Sequence, residues 1–311
     1  MKAAQIDNYG DVSVIQVREA EKPTITGDQV LVKVAAASLN PFDSAVRAGY
    51  AQTMAPLNFP ATLGLDFAGT IVEVGADVTG FAVGDRVYGT ANAMFGASGA
   101  FAEFAAANAS STALAPKNVD DAEAATLPTA GISALQAIVD NMHLQSGQKL
   151  FINGGSGGIG SVAIQIAKHL GAYVATTASN GNIDYVKSLG ADEVVDYKTQ
   201  KFTDLIHDYD AVLNNTAGDD INDALKVLKK GSIAVSLVGP FDEKKANELG
   251  VTAIAQGTKV ATKSLDDLRA LVEDGVVDVV IDKTFPIDEI QAAFTARETE
   301  SIKGKVVITI A

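Results

Sequence analysis

The chain has 311 residues, with 24 Lys and Arg against 38 Asp and Glu, a formal net charge of −14, and no cysteine. That acidity, without a Lys/Arg-rich block, argues against nucleic acid as a partner, and the missing thiols exclude disulfides, a thiolate nucleophile and a Cys-ligated zinc. No apolar run approaches the roughly 18 residues of a spanning helix and the start, MKAAQIDNYG, lacks a signal-peptide core, so a soluble, cytoplasmic chain with no membrane partner is expected.

Residues 1 to about 120 carry β-branched runs at 29–35, 70–74 and 85–88, broken by glycine and proline turns and with little helical periodicity. They predict an independent, mostly β domain. From residue 149 strand-like and helix-like segments alternate, the signature of a doubly wound parallel sheet. The predicted strands are 149–153, 173–177, 193–197, 211–215, 232–238 and 251–256, with helices at about 159–170, 183–189 and 221–229. Six strands complete a dinucleotide fold. Residues 265–311 then add an amphipathic helix and two β-branched runs, 276–281 and 305–310. The terminal GKVVITI needs a sheet to join, and the β-rich first domain is its natural host. The expected fold class is α/β, with residues 1–120 and 262–311 in one domain and 121–261 inserted as the other.

Within the inserted part, Gly155-Ser156-Gly157-Gly158-Ile159-Gly160 fits G-x-G-x-x-G. The apolar run KLFIN precedes it, and Val162, Ala163, Ile166, Ala167 and Leu170 follow at helical spacing, so strand, glycine turn and helix come in the required order. Gly155 permits the tight turn, Gly157 lets the backbone approach a pyrophosphate, and Gly160 lets the helix pack on its strand. The free N–H groups of the helix start then face the phosphates.

Several further stretches fall in one order along the chain: SLNPFDSAVRAGY, FPATLGLDFAGTIVEVGADVTGFAVGDRVYG, LPTAGISALQAI, NGGSGGIGSVAIQIAKHLGA, LGADEVVDY and IKGKVVITI. Through them the sequence resembles the medium-chain dehydrogenase/reductase superfamily, and within it the zinc-free quinone oxidoreductase family that includes ζ-crystallin. The resemblance implies a GroES-like catalytic domain followed by a six-stranded Rossmann domain, the first supplying most of the substrate side of the cleft.

Two rival families share fragments of this pattern. Zinc-dependent alcohol dehydrogenases carry a metal-binding Cys in the region of Asn40-Pro41-Phe42-Asp43 and a Gly-His-Glu where this chain has Gly64-Leu65-Asp66. Leu65 cannot bind a metal, and the histidines, His143, His169 and His207, fall in or beside the nucleotide domain, so no metal site is expected. Without a Lewis acid, reduction of an activated acceptor is favoured over alcohol oxidation. Short-chain dehydrogenases are suggested by Asn214-Asn215-Thr216-Ala217-Gly218 and by Tyr197 four residues before Lys201. In that family the Tyr and Lys follow the Asn-rich strand, whereas here Tyr197 precedes it.

Cofactor choice is read at the end of the second nucleotide-domain strand, Thr177-Ala178-Ser179-Asn180, where an NAD site usually places Asp or Glu. The first acid, Asp184, lies several residues into the next helix. A hydroxyl and an amide tolerate a 2′-phosphate, so NADPH is expected. Relatives commonly carry Ser, a Lys three residues on, and the Tyr of the DY strand end; this chain has Ser179 and Tyr197 but Asn182 in place of the Lys.

The resemblance also places Asn40 beside the nicotinamide and Ser133 near the carboxamide or diphosphate. Leu237-Val238-Gly239 would present backbone groups to the carboxamide, Thr216 would join the cofactor residues, and Tyr50 would stand where relatives carry a cleft aromatic. Asn40 and Tyr50 are the catalytic candidates, although Asn40 could equally cap a helix starting at Pro41 and Tyr50 could cover the core. Asp43 and Arg47 are expected to form a local ion pair, and Met94, Phe95 and Phe241 could wall a flat apolar acceptor. The function so implied is NADPH-dependent, zinc-independent hydride transfer to a quinone or to the β-carbon of an α,β-unsaturated carbonyl. An enoyl-thioester reductase, or a non-enzymatic NADPH-binding structural or sensor protein, is the alternative. The apolar edge strand VTAIAQG leads to the expectation of a homodimer.

Overall fold

The computed structural model describes residues 1–217 and 221–310. They form two compact units, Met1–Thr129 with Val260–Asp274 and Val279–Ala311, and Ala130–Lys259 with Gly275–Asp278.

The first unit contains strands β1 (Lys2–Ile6), β2 (Gln16–Glu19), β3 (Gln29–Leu39), β4 (Ala61–Thr62), β5 (Asp66–Val74), β6 (Arg86–Thr90), β7 (Phe104–Asn108) and β8 (Thr112–Leu114). Strand β3 is its spine, because nearly every side chain of QVLVKVAAASL is buried, Lys33 being exposed. It pairs antiparallel with β5 and β7, while β1 joins β2 and β4 in a smaller sheet. Between β3 and β4 lies helix α1 (Pro41–Ala48), begun by a proline whose missing N–H costs nothing there and ended by Gly49 at φ +86°, which a side chain would strain.

The unit runs past the expected boundary at 120. Helix α2 (Asp121–Ala125) is tied to β6 by Arg86, whose guanidinium reaches Asp121 Oδ1 at 2.5 Å and the carbonyls of Pro116 and Val119. Helix α3 (Pro128–Leu135) follows.

The second unit is a six-stranded parallel sheet built from β9 (Lys149–Asn153), β10 (Tyr173–Ala178), β11 (Glu193–Asp196), β12 (Tyr209–Asn214), β13 (Leu228–Ser236) and β14 (Thr252–Ala255), in the order β11-β10-β9-β12-β13-β14. Helices α4 (Gly158–His169), α5 (Ile183–Ser188) and α6 (Glu243–Leu249) connect them. The helix expected over 221–229 is a run of 3-10 turns, Ile221–Val227, that drops directly into β13. Lys226 and Asp223 pair at 2.5 Å across one such turn, where side chains three apart nearly eclipse. Phe151, Val212, Leu225 and Phe241 fill this unit's core.

The remaining elements are α7 (Thr262–Glu273), β15 (Ile281–Pro286), α8 (Ile290–Thr299) and β16 (Lys305–Thr309). The terminal run joins the first unit's sheet as expected: β16 lies antiparallel to β3, with Val306 opposite Leu39, and parallel to β15. The run at 276–281 becomes a strand only from Ile281. The backbone of Asp278 is occupied by a side chain instead of a ladder, its N–H donating to Gln165 Oε1 and its carbonyl accepting from Gln165 Nε2, both at 2.9 Å. No helix among the described residues is long and apolar enough to cross a membrane.

Candidate functional site

The glycine turn joins β9 to α4, and its glycines are required for different reasons. A β-carbon on Gly155 would lie 2.0 Å from Thr176 Oγ1, and one on Gly160 would lie 2.1 Å from the Gly154 carbonyl oxygen. Packing therefore excludes side chains at both. At Gly157 a β-carbon would meet nothing within 4 Å, so that side of the turn is open. Ser156 lies half-buried in the turn, and Gly158 and Ile159 begin α4 with no side-chain cap on its first N–H groups. Those N–H groups, with the positive end of the helix dipole, suit a phosphate.

Polar side chains at three strand ends brace this turn, and sequence reasoning missed them. Thr177 Oγ1 accepts from the Gly154 N–H and donates to Asn153 Oδ1, each at 2.8 Å. Asn153 Nδ2 in turn donates to Asn214 Oδ1 at 2.9 Å and to Thr216 Oγ1 at 2.8 Å. The available signal was a polar residue ending, or almost ending, each of three apolar strands. Next along the chain, Asn215 buries both side-chain amide atoms with no partner among the described residues, while its β-carbon lies close to Gly154. A buried unpaired polar group costs on the order of 1–3 kcal/mol. An orphaned amide beside an open glycine turn fits a polar ligand such as a dinucleotide. Gly218, the last residue of the Asn-rich fragment, lies outside the described residues.

The register of β10 with β11 pairs Ala178 with Asp196, so Ser179 and Tyr197 leave adjacent strand ends one residue later. Ser179 and Asn182 are buried and joined by the Asn182 N–H to the Ser179 carbonyl at 2.8 Å; Tyr197 is exposed. No carboxylate ends β10. The Ser133 hydroxyl is already bonded to Thr258 Oγ1 at 2.7 Å. Of the 237–239 backbone, the Leu237 N–H is taken by the Asn214 carbonyl and the Val238 N–H by Ser236 Oγ, while the Val238 side chain is exposed and Gly239 has open space at its α-carbon. Phe241 is a core residue of the second unit, not a wall for an acceptor.

In the first unit, Asn40 stands at the N-cap of α1 but its side chain does not cap the helix. It is drawn into a buried polar cluster instead. Its Oδ1 accepts from Lys305 Nζ at 2.5 Å, and its Nδ2 donates to Asp66 Oδ2 at 2.9 Å. Asp66 also accepts from the Thr129 N–H and hydroxyl and from the Ser38 hydroxyl, with Lys305 Nζ 3.7 Å away. Asp43 Oδ2 accepts the Asn40 N–H at 2.7 Å, and its Oδ1 has no partner among the described residues. Burial pushes the Asp43 carboxyl up to about 7, against the pull of the Asn40 N–H. Burial likewise raises Asp66 and lowers Lys305, each opposed by the charge of the other.

Arg47 does not pair with Asp43. Its guanidinium binds Glu298 at 2.8 Å and the Gly10 carbonyl, and lies over the Phe294 ring. Asp43 points into the cluster, away from solvent, whereas Arg47 finds its carboxylate on α8. Tyr50 is 85% exposed, so it does not cover the core; Met94 is buried and Phe95 exposed.

A family model described as zinc-binding dehydrogenase matches residues 189–308, and one described as alcohol dehydrogenase GroES-like domain matches residues 26–117. The zinc of the first description has no ligand set here: there is no cysteine, and among the described residues no three His, Cys, Asp or Glu could hold a metal ion together. The 2-methylene-furan-3-one reductase of Solanum lycopersicum is 37% identical over 318 residues, covering 99% of this chain and 79% of the relative. The chloroplastic NADPH-dependent alkenal/one oxidoreductase of Arabidopsis thaliana is 37% identical over 322 residues with the same coverage. The quinone oxidoreductase from Coxiella burnetii superposes with a TM-score of 0.91 at 31% identity, over 100% of this chain and 99% of that one. With a GroES-like unit, a six-stranded dinucleotide-type sheet and these relatives, the chain belongs to the quinone oxidoreductase family of the medium-chain dehydrogenase/reductase superfamily.

Proposed function

We propose that this chain is a zinc-independent, NADPH-dependent reductase that delivers hydride to quinones or to the β-carbon of α,β-unsaturated carbonyls. The observation that carries it is 37% identity, over 99% of the chain, to a relative named as an NADPH-dependent alkenal/one oxidoreductase. The open flank at Gly157 and the orphaned Asn215 amide support a dinucleotide at the glycine turn. NADPH, when bound, supplies the hydride, and the protein binds and orients.

In this reading the backbone of Gly155, Ser156, Gly157, Gly158 and Ile159 cradles the pyrophosphate, and Ser179, Asn182 and Tyr197 surround the 2′-phosphate. Thr216, braced by Asn153, holds the floor of the site beside the turn, and the backbone of 237–239 receives the carboxamide. Ser133 serves the same end through its hydroxyl. Asn40 and Tyr50 belong to the acceptor side, Asn40 through a side chain whose orientation Lys305 and Asp66 fix.

The reading includes a homodimer formed through β14, whose described pairing is with β13 alone. It keeps the cytoplasmic location expected from the sequence, although the alkenal/one relative is named chloroplastic. A panel of quinones and alkenals, followed by loss of NADPH absorbance, and of saturated alcohols with NADP+, followed by its gain, tests the activity. Turnover with the first two classes and not the third is expected; NADPH binding without turnover on any acceptor overturns the proposal.

A further inference from the structure

Reduction of an enone needs a proton as well as a hydride, and the buried cluster of the first unit holds a surplus acid. Asp43, Asp66 and Lys305 bring two carboxyls and one ammonium together in a buried region. One extra proton makes that cluster neutral, and burying a net charge is expensive. Hydrogen bonding decides which carboxyl carries it. Asp66 is surrounded by donors from Asn40, Ser38, Thr129 and Lys305, all of which favour the anion. Asp43 receives one N–H on Oδ2, leaving Oδ1 empty.

Asp43 also lines a small cavity with Leu57, Thr62, Leu65, Asn92 and Ala93. The cavity has room for a water, and the polar groups of Asp43, Thr62 and Asn92 on its wall could hold one.

We propose that Asp43 is the proton donor that completes reduction of the acceptor, passing its proton through a water in this cavity. The inference rests on the reductase reading given above. As hydride arrives at the β-carbon, the carbon–carbon π bond breaks and its electrons move to the α-carbon and carbonyl oxygen. The water gives its proton to that enolate and takes one from Asp43, whose carboxylate is then reprotonated from solvent. NADPH is oxidised, the enone is reduced, and one hydride and one proton are consumed. The groups facing Asp43 from neighbouring elements are Asp66 of β5 and Lys305 of β16, with Arg297 of α8 acting on Lys305. The acid held near neutrality by its burial is matched to such a transfer.

Infrared titration of the full chain without cofactor, together with steady-state kinetics, tests this. A protonated-carboxyl band should disappear as pH rises through about 7 and be missing in Asp43→Asn. The same variant should lower kcat for an enone by about 10²-fold or more and flatten its pH profile. Quinone reduction, whose product anion is already stabilised, should drop by less than about tenfold. Ala93→Val, which fills the cavity, should keep the band and still lower enone kcat. The proposal is overturned if the band survives Asp43→Asn, or if neither variant lowers enone turnover. A parent protein inactive on every acceptor sinks the reductase reading first, an outcome separable from normal parent turnover with unaffected variants.

Discussion

Lys305 Nζ sits 2.5 Å from Asn40 Oδ1 and 3.7 Å from Asp66 Oδ2, so one ammonium on the last strand holds the end of β3 and the start of β5. Asp66 and Lys305 are both buried. Removing one partner strands the other charge. Lys305→Met should therefore cost about 3–5 kcal/mol, read from urea unfolding. Adding Asp66→Asn to it should recover part of the loss; strictly additive losses would show that the two charges are not coupled.

The glycines of the turn separate fold from ligand. Gly160→Ala puts a methyl 2.1 Å from a backbone oxygen and should destabilise the chain by about 1–3 kcal/mol. Gly157→Ala meets nothing within 4 Å and should leave the melting temperature unchanged, while weakening NADPH binding about tenfold or more, close to 1.4 kcal/mol. Calorimetric titration checks the second claim. Unchanged NADPH affinity in Gly157→Ala would mean that the turn does not meet the pyrophosphate.

Substitutions at the β10 end test the phosphate reading. Asn182→Lys adds a cation and should lower the Michaelis constant for NADPH with little effect on NADH. Ser179→Asp should reverse the preference toward NADH, through repulsion of the phosphate and new bonds to the ribose hydroxyls. If neither moves the NADPH/NADH ratio by more than about twofold, roughly 0.4 kcal/mol, these residues do not surround the phosphate.

The buried acid predicts a pH-dependent stability. Asp43 is held at about 7 in the folded chain, above its ordinary 3.8, so the folded state binds a proton that the unfolded state releases between those values. Its stabilising contribution is complete below 3.8 and is lost as pH rises toward about 7. Asp43→Asn stays neutral throughout. The stability of the variant relative to the parent should rise across that window and level off above it; a flat difference would place the proton elsewhere.

For assembly, sedimentation at micromolar concentration should give a dimer, and Ala253→Lys on the edge strand β14 should shift it toward monomer. A monomeric parent protein would remove β14 as an interface.

Much of this architecture is written locally. The glycine turn, the six strands of the second unit and the β-branched terminal strand are each contiguous patterns and fold close to where their period indicates, the helix expected over 221–229 excepted. What escaped were pairings between distant residues that leave no periodic trace. Arg47 was matched to Asp43, its neighbour along the chain, yet its carboxylate is Glu298, 251 residues away. Lys305, at the start of the terminal β-branched run, binds Asn40 across 265 residues. At 276–281 a β-branched composition gave way to the side chain of Gln165, which took the backbone hydrogen bonds that a strand would have needed.

Strand β16 lies between β15 and β3, so residues 305–309 tie the edge strand β15 to the rest of the first unit's main sheet. Strands β3, β5, β6 and β8 precede the inserted residues 130–259 and pair with one another, whereas β15 and β16 follow those residues and join the same sheet from the far side of the insertion. Removal of residues 305–309 would therefore part β15 from the sheet and bare the end of β3, a loss of pairing on two strands rather than of one.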